Sequence, residues 1–179
     1  MTKLIDDLTN WLQERVCDRL EFKKASSRGD ASYQYELVHP TAFPCYCPPQ
    51  DKTNLPTTPS VTVQIDNVTD DLENESLVSV ALVFAVWNTG THDNREETPR
   101  FEKNLDGWRD LWQFIDTARR AMREDFSIGG YVIAGDVSSR PLSGESAIMG
   151  TYPYFFGEVT FMLESVESPQ GNSRIRNML

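Results

Sequence analysis

The sequence predicts a single α+β domain: a mixed, mainly antiparallel sheet of about four to five strands, packed against two amphipathic helices and joined by long loops. Three observations carry that expectation. Two segments repeat their apolar residues at helical spacing, several others alternate or run continuously in β-branched and aromatic residues, and prolines crowd one connection. The chain has 179 residues, 39% of them hydrophobic and 19 aromatic, which is enough to fill one core and too little for two ordinary domains. One domain over 1–179 is therefore expected.

The first helix is marked by Leu4, Ile5, Leu8, Trp11, Leu12, Val16 and Leu20, with Asp6, Asp7, Gln13, Glu14 and Asp18 on the other face. Thr2 is the natural cap, and Asp6 and Asp7 sit where the helix dipole favours negative charge. The helix should end before Ser26, where S-S-R-G-D reads as a turn. From Ser32 to Val38, Tyr33, Tyr35 and Leu37 alternate with Gln34 and Glu36, the period of a strand with one wet face. Residues 39–60 hold six of the ten prolines, which predicts a long irregular connection. Val61, Val63 and Ile65 then alternate with Thr62 and Gln64, and Leu77 to Trp87 is a nearly continuous apolar run, the expected central strand.

A polar loop is expected from Asn88 to Asn104. The clearest helix follows, with Leu105, Trp108, Leu111, Trp112, Ile115, Ala118, Met122 and Phe126 on one face and Arg109, Asp110, Gln113, Asp116, Arg120 and Arg123 on the other. Asp116 and Arg120 are spaced to pair, and Gly129-Gly130 stops the helix. A short strand over Tyr131–Ala134, a third loop over 135–150 and a last strand from Tyr154 to Glu164 complete the pattern. Residues 168–179 read as a peripheral polar tail.

Charge narrows the function. Net charge is −10 and the pI is near 4.6, which opposes sequence-independent binding of nucleic acid through its phosphates. The acidic start M-T-K-L-I-D-D lacks the apolar stretch of a signal peptide, and no apolar run is long enough for a membrane span. Three cysteines, two of them at Cys45 and Cys47, fit a reducing compartment better than a disulfide framework. Folding in a cytoplasm is the expectation.

Chemistry-bearing patterns are weak. His39, Cys45 and Cys47 lack the second ligand pair that tetrahedral zinc needs. His92 and Asp93 are adjacent, and sequence neighbours rarely face one another, so a solvated loop His is the expectation. Ser143-Gly144-Glu145-Ser146 is not a nucleophile elbow, and Gly129, Gly130 and Gly135 do not make a phosphate cradle. Paired acids such as Asp70-Asp71 and Glu96-Glu97 are ordinary among 27 acidic residues. No catalytic residue, cofactor or metal is expected.

The order of helix, strand, Pro-rich connection, P-S-V-T-V-Q strand (Pro59 to Gln64), apolar strand, D-G-W-R-D-L-W helix and closing P-Y-F-F-G-E-V-T-F strand (Pro153 to Phe161) resembles the tail terminator and head-tail joining proteins of long-tailed phages. The likeness spans most of the chain. It implies a small α+β structural protein of the virion without enzymatic activity. Such a subunit joins a ring, commonly six-membered, which caps the tail tube, meets the head connector and lets DNA pass. Aromatic and Arg residues in and beside the three loops are then the expected interface: Phe43, Tyr46, Arg95, Arg100, Phe101, Arg140, Tyr152 and Tyr154. The plainer alternative is that half of them only pin loops to the body. Two other functions compete: an adaptor presenting the 39–60 segment to a partner groove, and a hydrolase centred on His39 or His92.

Overall fold

The computed structural model describes residues 1–25, 35–49, 57–70, 76–90, 106–142 and 152–165. Helix α1 spans Thr2–Arg15 and buries Leu4, Leu8 and Leu12, the i, i+4, i+8 stripe expected of it. Thr2 is the first helical residue rather than the cap, which is Met1, and no side chain caps this end. The helix also stops sooner than its apolar spacing suggests. Val16 leaves helical geometry, Cys17–Arg19 form one 3₁₀ turn, and Leu20 is extended. Leu20 and Phe22 reach the core from extended chain, and Phe22–Ala25 is strand β1, which the sequence reading lacked.

β1 pairs antiparallel with β2 (Tyr35–Val38) as a separate two-stranded ribbon. The main sheet has six strands: β3 (Thr41–Pro44), β4 (Ser60–Asp70), β5 (Ser76–Trp87), β6 (Ser127–Ile128), β7 (Tyr131–Leu142) and β8 (Tyr154–Ser165). Their order is β3-β4-β5-β8-β7-β6, antiparallel except for the parallel β3–β4 pair. The fold class stands as α+β with a mostly antiparallel sheet, and the expected strand count was low.

Three local expectations are corrected. Residues 39–60 are not irregular throughout, because Thr41–Pro44 add an edge strand that Pro40 precedes and Pro44 ends, opposite Val63. Residues 135–142 of the expected loop are strand, since β7 continues through Gly135 to Leu142 with an irregular register between Ala134 and Ser138, and 143–150 lie outside the described residues. Gly129-Gly130, both at positive φ, turn the β6–β7 hairpin instead of capping the second helix. That helix, α2 (Asp106–Glu124), has already ended, and Phe126 beyond it is exposed. Within α2, Asp116 pairs with Arg119 at 3.6 Å rather than with Arg120. Residues 168–179 lie outside the described residues.

Both helices cover the same side of the sheet. Val78, Val80, Leu82, Phe84 and Val86 of β5 and Val159, Phe161 and Leu163 of β8 face them and are buried. Phe114 is the hub of this core. Its ring meets Phe84 edge-on at 4.8 Å and Phe22 at 5.3 Å. α2 approaches the sheet closely because β8 presents Gly157 beneath it, where a Cβ would stand 2.7 Å from Ile115 Cδ1.

Candidate interface surfaces

The register of the sheet decides what its other face carries. Residues directly opposite one another share a face, so Phe43 (β3), Thr62 (β4), Val83 (β5), Glu158 (β8) and Arg140 (β7) form one row across five strands. At about 4.8 Å between strands the row is roughly 19 Å long. It lies on the face away from both helices. Arg140 Nε donates to Glu158 Oε2 at 2.7 Å, with the guanidinium largely exposed and the carboxylate sheltered. The next row is Ser60, Ala85, Phe156 and Leu142, and beyond it Tyr154 lies opposite Trp87. Val83, Phe156 and Tyr154 are half-buried, and burial pushes the Tyr154 hydroxyl pKa up.

The structure therefore gathers three of the expected interface residues, Phe43, Arg140 and Tyr154, onto one sheet face. Tyr46 is 71% exposed, just past Cys45, whose φ is +63°. Tyr152 projects from the turn before β8, half exposed, and its hydroxyl donates to the Thr89 carbonyl at 2.8 Å. That bond ties the turn to the end of β5, the pinning role weighed above. Arg95, Arg100 and Phe101 lie outside the described residues.

Asn88 anchors the same end of the molecule. It is buried, its Nδ2 donates to Asp110 Oδ2 at 2.6 Å, and its Oδ1 accepts from the Gly90 amide at 2.7 Å and Lys23 Nζ at 3.3 Å. Burial pushes the Asp110 carboxyl above its ordinary range, the Asn88 bond and Lys23 oppose the rise, and Asp106 adds to it. This is a scaffold joining β1, β5 and α2.

The remaining sequence candidates have structural surroundings. His39 Nδ1 is 2.7 Å from the Leu20 carbonyl and its Nε2 is 3.9 Å from Glu21. Cys47 Sγ lies 3.5 Å from both the Thr57 carbonyl and Ser60 Oγ, and Thr57 donates to the Pro48 carbonyl through its amide and hydroxyl. These contacts close the neck of the Pro-rich segment. His92, Asp93 and Ser143–Ser146 lie outside the described residues. Among the described residues no three His, Cys, Asp or Glu side chains cluster to hold a metal, and no helix is long and apolar enough to cross a membrane.

Two surfaces were not legible in the sequence. On the β1–β2 ribbon Phe22 turns inward, so Tyr35 and Leu37 face outward, 49% and 59% exposed, with Lys23 Nζ 4.8 Å above the Tyr35 ring. The expected single wet face is not what forms: Glu36 on the other side is exposed as well, and residues 32–34 of the expected strand lie outside the described residues. The second surface is a cleft of about 320 Å³ between the end of α1 and α2, walled by Arg15, Arg19 and Arg120 with one carboxylate, Glu124. A scan against protein-family models and a search of the curated proteins both return no match.

Proposed function

We propose that this chain is a non-enzymatic structural subunit of a long-tailed phage, a tail terminator or head-tail joining protein. In this reading it is made in the bacterial cytoplasm and incorporated in the virion. Copies form a ring, six-membered by the resemblance, at the head-proximal end of the tail, between the tail tube and the head connector. The single observation that supports the reading most is the helix-free sheet face. Among the described residues no helix covers this face, on which Arg140 is exposed and Phe43, Val83 and Glu158 are half-buried while Thr62 is buried, and its mix of aromatic, aliphatic and Arg side chains is the composition that interfaces favour.

The charge balance fits as well. A ring through which DNA slides must not grip phosphates, and a chain of net charge −10 repels them. Gold-labelled antibody against the chain, viewed on intact tailed particles, tests the assignment. One label cluster at the junction of head and tail is expected, and label absent from every particle contradicts it.

A further inference from the structure

The row on the helix-free face has two halves that complement each other. It runs Phe43, Thr62, Val83, Glu158, Arg140, with Val83 of β5 at its centre. Consider a second copy laid face to face on the first and related to it by a twofold axis along β5, in the plane of contact. The strands stay aligned and the order of the row reverses. Arg140 of each copy, exposed at one end, then lies over half-buried Phe43 of the other, a guanidinium on an aromatic ring. Thr62 comes opposite Glu158, a hydroxyl against a carboxylate, and Val83 meets its own twin. The neighbouring rows agree. Ala81 and Ala85 flank Val83 on the same face of β5 and let the two backbones approach along the axis. Beside Ala85, β8 presents half-buried Phe156 and β4 presents buried Ser60, so the same rotation seats each Phe156 ring over the small Ser60 of the other copy.

We infer that this face pairs with the same face of a second copy, as a twofold dimer in which Phe43 and Arg140 of one chain meet Arg140 and Phe43 of the other. Charge selects this axis over its alternative. A twofold axis along the row would set Arg140 on Arg140 and Glu158 on Glu158, like charges face to face. Stacked sheets stand about 10 Å apart with their strands within about 30° of each other, and an axis along β5 meets both conditions. The inference rests on the reading of this face as an assembly surface and adds that the contact closes at two copies. A ring then takes its neighbours through a different surface.

Sedimentation equilibrium on the full chain compares wild type, Phe43→Leu, Arg140→Gln and the double variant, with circular dichroism to confirm folding. Within one chain Phe43 and Arg140 stand roughly 19 Å apart, beyond the range at which substitutions couple, so any coupling arises across the contact. Each single variant should weaken pairing about fivefold to thirtyfold, since two contacts are lost per dimer, and the double variant should be no weaker than the weaker single. Phe43→Glu, which puts a carboxylate under the facing guanidinium, should keep the pair and make it salt-sensitive. Losses that multiply in the double variant overturn the twofold pairing and leave the face as an assembly surface for other contacts. Association that neither single variant changes overturns the pairing and this face together. A wild-type mass of one chain overturns the pairing as well, and the virion assignment then stands or falls on the labelled particles alone.

Discussion

Asp125 joins the two helices at a single carboxylate. Trp11 Nε1 donates to it at 3.1 Å and Arg15 Nε at 2.6 Å, and these two donors hold its pKa below the usual carboxylate range. A lowered folded pKa gives stability that is present above the unfolded value, near 4, and lost as pH falls through the folded one. Asp125→Asn keeps the acceptor oxygen but not the charge. Thermal melts should therefore place the variant below wild type at neutral pH, with the gap closing on acidification; a gap that stays constant with pH contradicts the assignment. Asp110 runs the other way: its raised pKa means that its contribution is greatest in acid and declines as pH rises through the shifted value. Neither acid stood out in the sequence as special, because their partners Trp11, Arg15 and Asn88 are distant along the chain.

At the scale of elements, the contact of α2 with β8 carries much of the core. Gly157→Val would drive a branched side chain into Ile115 and Leu111, and overpacking of this kind costs about 1–3 kcal/mol. Denaturant unfolding should show that loss, while Thr160→Val, on the opposite face of β8, should not. Legibility followed periodicity. The Leu77–Trp87 strand and both helices announced themselves because their patterns are long and their apolar residues face one core. β7 did not: its second half, G-D-V-S-S-R-P-L, has the composition of a loop and is held extended by pairing with β8. β3 was hidden by prolines that an edge position tolerates. Within α2 the dense run L-W-Q-F-I obscured the true stripe, which keeps Phe114 inside and leaves Trp112 over a third exposed.

For the whole molecule, residue type was readable and arrangement was not. The sequence singled out Phe43, Arg140 and Tyr154 as interface types, yet only the register puts them on one face. The Arg cleft brings Arg15 and Arg19 against Arg120, a juxtaposition about a hundred residues deep in sequence that no local pattern signals. If the helix-free face is an assembly surface, Val83→Lys should spoil it without spoiling the fold. Val83 is half-buried at the centre of the row, and directly opposite it stands Glu158, which can accept the new ammonium. Native circular dichroism with lost association is the expected result, and undiminished association would exclude this face.

The most direct measurement is the molar mass of the purified full-length protein by light scattering across a wide range of concentration. A discrete multiple of the 20.4 kDa chain, seen as rings under the electron microscope, is the predicted result. A mass that stays at one chain at every concentration, for a protein that also binds no tailed particle, would contradict the account.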